Sequence, residues 1–279
     1  MTEPVAVPPV HCTESCRILP GVRRIGFGAP LGWLGRGWRD LWRQPGTSLF
    51  YGVAVAVTGA VILGATASLP YLFAAAVTGF LLVAPMLAAG LYELSRRYLA
   101  DEPVSLGDSM LAWKRNPSCM IGFGLLSILA GTLWQVISAV IVAVFYHGPP
   151  RAALDMMIQV LINPQHYVMF FVYMGAGGLL AAVVFALSVV SMPMLIDRRC
   201  DLISALTTSV NAVAENPLPL AIWAVIIMLL TGFGFATALV GLVLIMPWLG
   251  HASFHAYRDL VEPAASSCPG MPCPPAAGT

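Results

Sequence analysis

The last apolar run of the chain is LPLAIWAVIIMLLTGFGFATALVGLVLIMPWLG, residues Leu218–Gly250, which has no charged residue. As a single α-helix it would measure about 50 Å at about 1.5 Å per residue, whereas the hydrocarbon core of a bilayer is about 30 Å thick. The run is therefore too long for one crossing, and the Thr-Gly-Phe-Gly segment at 231–234 offers a break. We predict a fifth apolar helix at Leu218–Leu230, short enough to be re-entrant, and a sixth at Phe235–Ala256.

Four more apolar stretches precede this run: Leu49–Ala67, Tyr71–Leu94, Cys119–Tyr146 and Tyr167–Ile196. Inside hydrocarbon a backbone must satisfy its own hydrogen bonds, so such stretches form helices. The 279 residues are 58% hydrophobic and only 10% charged, against about 25% charged residues in soluble domains. We predict an all-α, polytopic transmembrane bundle of about six spans at 31–260, between disordered tails at 1–30 and 261–279.

Lysine and arginine are distributed unevenly around the predicted spans. Of 14 such residues, 13 lie in the N-terminal segment, the 95–117 loop, the 197–217 loop or after the last span, and only Arg151 lies in the 147–166 loop. Basic residues concentrate on the cytoplasmic side of a membrane. We therefore place both termini in the cytoplasm of a bacterial inner (plasma) membrane protein. The net charge of +1 and the lack of a basic stripe argue against a nucleic-acid partner.

The same order of features occurs three times along the chain. A segment of helical periodicity is followed by a polar-proline corner, an outgoing helix, and a returning helix that contains a proline. The first such segment, Leu31–Arg43, alternates Trp with Arg and is typical of an amphipathic helix at the membrane interface. The corners are Gln44-Pro45, Asn116-Pro117 and Asn216-Pro217, and the returning helices contain Pro85, Pro193 and Pro247. This order predicts three helix-pair repeats, with each of the three prolines bending its helix. The alternative is that proline is simply common near membrane boundaries.

Aligning the three returning prolines places polar side chains in register near the cytoplasmic ends of these helices. The candidate cluster consists of Glu93, Asp197, His251, His255, Arg96 and Arg258. Packing of the repeats around one axis would bring these side chains together. His251 and His255 are four residues apart on one helix face, a spacing that suits a metal or a haem. The alternatives are that the cluster meets water and lipid headgroups, or forms a structural network with the arginines.

The sequence contains no Walker loop, dinucleotide fingerprint, nucleophile elbow or zinc-protease motif. Within the predicted hydrocarbon-embedded parts of the spans no ionisable residue occurs, whereas ion-coupled carriers generally place one there. We therefore expect no enzyme and no cofactor. These observations do not identify a substrate.

Four segments resemble a known family: GWRDLWRQPGTSLFYG (Gly37–Gly52), GLYELSRR (Gly90–Arg97), MPMLIDR (Met192–Arg198) and GHASFHAYRDLV (Gly250–Val261). They are similar to the bacterial integral membrane family called domain of unknown function 2189, over about Gly32–Val261. The resemblance implies a multi-span protein of the inner membrane. It implies no activity and therefore no catalytic residue.

Three functions remain open at this point. The favoured one is a non-catalytic accessory or scaffold subunit, whose partners are the lipid bilayer and a larger membrane protein complex. The second is a carrier for a small neutral or lipid-like solute, which the repeat favours. The third is a metal- or haem-binding membrane protein that uses His251 and His255.

The topology is open to a direct test with reporter fusions. A reporter that is active only in the cytoplasm should be active when fused after Lys114, within 199–201 or at the C-terminus, because basic residues flank these positions. A fusion near Arg151 should report the opposite side. A C-terminus on the outer face would contradict the predicted topology.

Overall fold

The computed structural model describes residues 20–68, 87–146 and 163–263, and the predicted all-α architecture is confirmed there. The only extended pairing in these three ranges is a bridge between Val22 and Val261. The helices are α1 (Ala29–Arg43), α2 (Pro45–Ser68), α3 (87–99), α4 (Leu106–Met110), α5 (Pro117–Phe145), α6 (Tyr167–Ser188), α7 (Ser191–Asp197), α8 (Leu202–Glu215), α9 (Pro217–Ala236) and α10 (Leu242–Leu260).

Several helices have the length and composition of membrane spans. In the described ranges, four segments qualify: Pro45–Ala65, Pro117–Phe145, Pro164–Asp197 and Pro217–Ala236. They correspond to the predicted first, third, fourth and fifth apolar helices. Most of the predicted second span, Tyr71–Leu94, lies outside the described residues, and its last part is helical in α3. The count of six spans stays a prediction.

The predicted break at 231–234 is wrong. Helix α9 continues through both glycines to Ala236, and the chain turns at 237–241 before α10 begins. At Gly234 a Cβ atom would overlap the side chain of Leu242, so the glycine allows α9 and α10 to approach. Thr237 makes the turn instead, because its Oγ1 donates to the carbonyl of Gly234 (2.9 Å) and accepts from the N–H of Gly241 (2.9 Å).

Helix α10 lies between α1 and α2 and contacts both of them closely. A Cβ atom at Gly37 of α1 would lie 2.6 Å from the backbone nitrogen of Ala252, and one at Gly52 of α2 would overlap the carbonyl oxygen of Val243. That carbonyl is four residues before Pro247, which has no N–H to donate to it. The bare backbone of Gly52 therefore covers a carbonyl that the proline leaves without its helical partner, and α10 continues past Pro247.

The other two predicted helix-bending prolines have different outcomes. Pro193 is the third residue of α7, and the helix is interrupted just before it, between Ser188 and Ser191. The N–H of Val190 at the interruption donates to Ser209 Oγ of α8 at 3.1 Å, so a neighbouring helix satisfies the exposed backbone. Pro85 lies outside the described residues.

The three polar-proline corners share one backbone conformation. The φ and ψ angles are −142° and 78° at Gln44, −147° and 67° at Asn116, and −131° and 52° at Asn216. Each residue ends one helical segment, and the proline after it begins the next helix. This local identity supports the repeat, which itself stays a prediction.

The last residues of the predicted 1–30 tail, from Pro20 onward, are described by the structure and make hydrogen bonds to distant parts of the chain. Arg23 N–H donates to the carbonyl of Leu260 (2.8 Å), and Glu262 N–H donates to that of Gly21 (2.9 Å). Ile25 N–H also donates to Asn216 Oδ1 at 2.8 Å. Hydrogen bonds to the C-terminal segment and to the third corner thus order a stretch whose composition alone suggested disorder.

Ion pairs gather at one end of the bundle. Arg24 pairs with Glu215, Arg115 with Glu93, and Arg258 with Asp197. We call this end, formed by α1, α3, α4, α7, α8 and the C-terminal half of α10, the basic end.

Candidate functional site

Helix α1 positions an acid at the basic end. Its buried face consists of Trp33, Gly37, Asp40 and Leu41, which recur at helical spacing and pack toward α10. Trp33 and Leu41 are fully buried, and Asp40 is only 4% exposed. Because Gly37 lets α1 approach Ala252 so closely, the carboxylate of Asp40 reaches the histidines of α10.

Five buried polar side chains from four helices form a continuous hydrogen-bonded chain, which we call the Asp40 network. His255 Nε2 lies 2.8 Å from Asp40 Oδ2, and Ser95 Oγ of α3 donates to the same oxygen at 3.1 Å. Ser95 Oγ also lies 2.7 Å from His251 Nδ1, and His251 Nε2 lies 3.0 Å from Ser48 Oγ of α2. The network therefore joins α1, α2, α3 and α10.

The donors and acceptors of this chain determine its proton positions. An ionised carboxylate only accepts, so Ser95 donates its single proton to Asp40. Ser95 Oγ must then accept from His251 Nδ1–H, and in a neutral ring Nε2 accepts from the Ser48 hydroxyl. Both ring nitrogens of His251 are thus occupied. The order hydroxyl, imidazole, hydroxyl, carboxylate resembles an activated nucleophile, but Ser48 and His251 are fully buried.

The charge of Asp40 is stabilised by its neighbours. Burial opposes ionisation of the carboxyl group, but the hydrogen bond and charge of His255 and the hydrogen bond from the Ser95 hydroxyl hold its pKa below the ordinary value. A buried carboxylate with these partners is stabilising only while the partners remain in place.

Glu93 has separate partners within the basic end. Its carboxylate, 2% exposed, accepts two hydrogen bonds from Arg96 (both 2.9 Å), one from Arg97 (2.9 Å) and two from Arg115 (3.0 and 3.2 Å). Arg96 also binds Glu102 at 2.8 Å. The hydrogen bonds to Glu93 raise the pKa of Arg96 and outweigh the opposite effect of partial burial, and the hydrogen bonds to Glu102 raise it further. This guanidinium therefore stays charged.

Asp197 belongs to a third group. It accepts from Tyr257 Oη at 2.7 Å and from Arg258 Nη1 at 3.3 Å. A small cavity of about 130 Å³ is bordered by Arg96, Asp197, Phe254 and Arg258. The structure therefore brings three of the six predicted cluster residues to one cavity.

The predicted cluster is thus divided among three groups at the same end of the bundle. Among the described residues no hydrogen bond or ion pair joins Glu93 to His255 or Asp197. The pairing of Glu93 with Arg96 and of Asp197 with Arg258 matches the alternative prediction, a structural network with the arginines. His251 and His255 share one network, as their spacing indicated, but their partner is Asp40.

Asp40, Ser48 and Ser95 were not predicted as site residues from the sequence. A signal was present for Asp40, which is the single acid among the arginines and tryptophans of α1 and shares a face with Trp33 and Gly37. The serines gave no signal, because a hydroxyl near a helix end is compatible with many surroundings.

A metal site at His251 and His255 receives no support from the geometry. In the three described ranges, no group of three His, Cys, Asp or Glu side chains is arranged to hold a metal ion. Both ring nitrogens of His251 are in hydrogen bonds with serines, and His255 Nε2 is bonded to Asp40.

Replacing Asp40 tests whether the network stabilises the fold. Asp40→Ala leaves His255 and Ser95 without their acceptor, and we expect a loss of about 2–4 kcal/mol in the free energy of unfolding. Asp40→Asn keeps an acceptor and should lose less. Thermal unfolding in detergent measures both, with Glu215→Ala, which removes an exposed ion pair, as the control that should change stability by at most about 1 kcal/mol.

The pH dependence of stability provides a second readout for the same variants. Because the pKa of Asp40 is lowered from 3.8, its contribution is complete above that value and is lost as the pH falls below it, through the folded-state pKa. Asp40→Asn should lose less stability over this acid range than the wild type. Equal acid sensitivity of the two proteins would contradict an ionised Asp40.

Comparison with known proteins gives one match. A family model described as Predicted integral membrane protein (DUF2189) matches residues 72–197. This range includes the Gly90–Arg97 motif and all but the last residue of Met192–Arg198, whereas the motifs at Gly37–Gly52 and Gly250–Val261 lie outside it. No curated protein and no solved structure matches the chain. The resemblance indicated by the sequence motifs is thus confirmed: over residues 72–197 this multi-pass membrane protein is similar to the DUF2189 family of predicted integral membrane proteins.

Proposed function

We propose that the protein is a non-catalytic accessory subunit that binds a larger assembly in the bacterial inner membrane, with both termini in the cytoplasm. The observation that carries the proposal is a face of small residues on α6 that points away from the rest of the described chain. Such faces let transmembrane helices of partner proteins approach closely.

Helices α5 and α6 form a long hairpin that is packed on one side. Trp134 of α5 covers Gly177 of α6, where a Cβ atom would lie 2.9 Å from the indole ring. Ser138 Oγ donates to Tyr173 Oη at 3.0 Å. On this side of α6 the small residue Gly177 therefore allows close packing against α5 of the same chain, as is usual for membrane helices.

The opposite side of α6 has small residues with no such neighbour. Gly175, Gly178 and Ala182 are exposed, and Cβ atoms built at the two glycines meet nothing within 4 Å in the described parts of the chain. Gly178 and Ala182 are one helical turn apart and form a shallow groove between bulky neighbours such as Leu179, which is 70% exposed. A lipid chain gains little from such a groove, whereas a second helix gains close van der Waals contact.

The polar groups at the basic end support a non-catalytic role. The Asp40 network and the carboxylates of Glu93 and Asp197 are bonded to side chains of the protein itself. A catalytic acid or base must reach a substrate in a cleft, and these groups are engaged by neighbouring helices. The concentration of ion pairs at the basic end supports a cytoplasmic location for it.

Purification from native membranes in a mild detergent tests the proposal. We expect a membrane protein partner to copurify in fixed stoichiometry with the wild type. Ala182→Leu fills the groove and should reduce the recovered partner about tenfold, equivalent to about 1.4 kcal/mol of binding free energy.

The matched control is Ala139→Leu, which adds the same bulk at an exposed position of α5 and should leave the partner bound. A wild-type protein that purifies as a monomer or homo-oligomer would contradict the accessory role. Equal partner recovery from both variants would contradict the assignment of the groove.

A second candidate, a carrier for a lipid-like solute, is favoured by one cavity. A space of about 450 Å³ lies between α5 and α6 and is also lined by Ala88 and Met246. Its lining is apolar apart from Ser127 and Ser188, which donate to backbone carbonyls of their own helices. Lipid or apolar solute retained at fixed stoichiometry in the same purification, without a protein partner, would favour this candidate.

A further inference from the structure

Helices α9 and α10 form a hairpin whose depth can be measured against α2. Helix α10 runs antiparallel to α2: Ser48 bonds to His251, Gly52 lies against Val243, and a Cβ atom at Gly59 would lie 3.2 Å from the side chain of Leu239. The turn between α9 and α10 is therefore level with Gly59. Helix α2 continues nine residues beyond this point to Ser68, which is about 14 Å.

The length of α9 agrees with this depth. The side chain of Asn216, just before α9, donates to the carbonyl of Arg23, and the N–H of Arg23 donates to the carbonyl of Leu260. Helix α9 therefore begins beside the last turn of α10. Leu260 is nine residues, or about 14 Å, further out than His251. The 20 residues of α9 measure roughly 30 Å, of which about 14 Å lies between its start and the level of His251 and Ser48. The remaining length of about 16 Å matches the distance along α2 from Ser48 to Gly59.

Helices α5 and α6 reach much further than this hairpin. Met246 of α10 and Leu133 of α5 line the same apolar cavity, and Leu133 is the last residue of α5 that does so. Helix α5 continues for twelve residues beyond Leu133, to Phe145. From Met246 the α10 helix continues only four residues to its start at Leu242. At about 1.5 Å per residue, α5 extends about 10 Å or more past the hairpin turn.

The chemistry of the two ends also differs. The far end of the α5–α6 hairpin has the polar and aromatic residues typical of a headgroup region, with the rings of Tyr146 and His166 5.6 Å apart. At the α9–α10 turn the exposed side chains are Phe233, Phe235 and Val240, each more than 60% exposed. An apolar tip of this kind is suited to hydrocarbon and unsuited to water.

The backbone of the turn satisfies its own N–H groups. Those of residues 237, 238, 239, 240 and 242 donate to carbonyls between Phe233 and Leu239 at 3.0 to 3.1 Å, and that of Gly241 donates to Thr237 Oγ1. Ala238 and Leu239 adopt left-handed backbone angles, with φ of 52° and 70°, which costs conformational energy for residues with side chains. Inside hydrocarbon the backbone polar groups must be satisfied within the protein, and the turn meets this requirement for its N–H groups.

From these observations we infer that α9 and α10 form a re-entrant hairpin, which enters and leaves the membrane at the basic end and turns inside the hydrocarbon. The inference goes beyond the accessory role and does not depend on it. Because the hairpin returns to the side from which it starts, both termini stay on the same side. The long uncharged run Leu218–Gly250 then packs against α1 and α2 and makes neither a fifth nor a sixth crossing.

Depth measurement by spin labelling tests the inference. Single cysteines replace Val240 at the turn, Val57 at a similar level of α2 and Val144 at the far end of α5, in the full-length protein with its six native cysteines replaced, reconstituted in vesicles. Electron paramagnetic resonance then measures collision of each label with oxygen and with a nickel chelate. The label at position 240 should collide with oxygen and be shielded at least fivefold from nickel relative to position 144, like the label at position 57.

A label at position 240 with nickel accessibility equal to that at position 144 would overturn the inference, because the turn would then reach the opposite headgroups. Should replacement of the half-buried Cys119 and Cys200 lower the yield, both are retained and the spectrum of the parent is subtracted, since they lie at the basic end. Labelling of V240C by an impermeant maleimide from the outer face of intact cells would also overturn it. The copurification of a membrane protein partner is an independent experiment, so its failure would not change the outcome of either labelling measurement.

Discussion

The close contact of α10 with α1 and α2 depends on glycine at the two crossing points. At Gly37 and Gly52 the neighbouring backbone of α10 occupies the space that any Cβ atom would need. In a membrane no hydrophobic force draws helices together, so van der Waals contact and hydrogen bonding between backbones at short distance must do so. At Gly52 the contact also covers the carbonyl that Pro247 leaves without a helical donor, which lets α10 carry a proline without breaking.

The Asp40 network is a consequence of these crossings. Only where α1 lies this close to α10 can the short side chain of Asp40 reach His255, and only where α2 does so can Ser48 reach His251. Each group is costly to bury alone, and together they are satisfied. The network therefore reinforces one arrangement of four helices at the basic end, which suits a rigid anchor better than a site that exchanges protons or substrate.

Much of this architecture could be predicted from the sequence, and the parts that could not share a physical cause. Apolar runs and proline corners are local properties, so the starts of α2, α5, α6 and α9 were located to within four residues, whereas α6 ends eight residues before the predicted end and α9 six residues after it. The turn at 237–241 was misplaced because a glycine within a helix and a glycine in a turn look alike until the packing of Leu242 against Gly234 is known. Likewise, the i,i+4 spacing placed His251 and His255 together, but Asp40 is more than two hundred residues away and is brought to them by tertiary structure alone. The hydrogen bonds of residues 20–30 depend in the same way on Leu260 and Asn216, which are also distant in sequence.

The central claim is that glycine at the α2–α10 crossing holds the bundle together, and one matched pair of variants tests it most directly. Gly52 and Gly64 are both on α2, but a Cβ atom at Gly64 meets nothing within 4 Å in the described chain. Thermal unfolding in detergent should show Gly52→Ala destabilised by about 1–3 kcal/mol through overpacking against a backbone oxygen. Gly64→Ala should be unchanged or stabilised by up to about 1 kcal/mol, because alanine favours a helix. Equal unfolding midpoints for the two variants would contradict the claim.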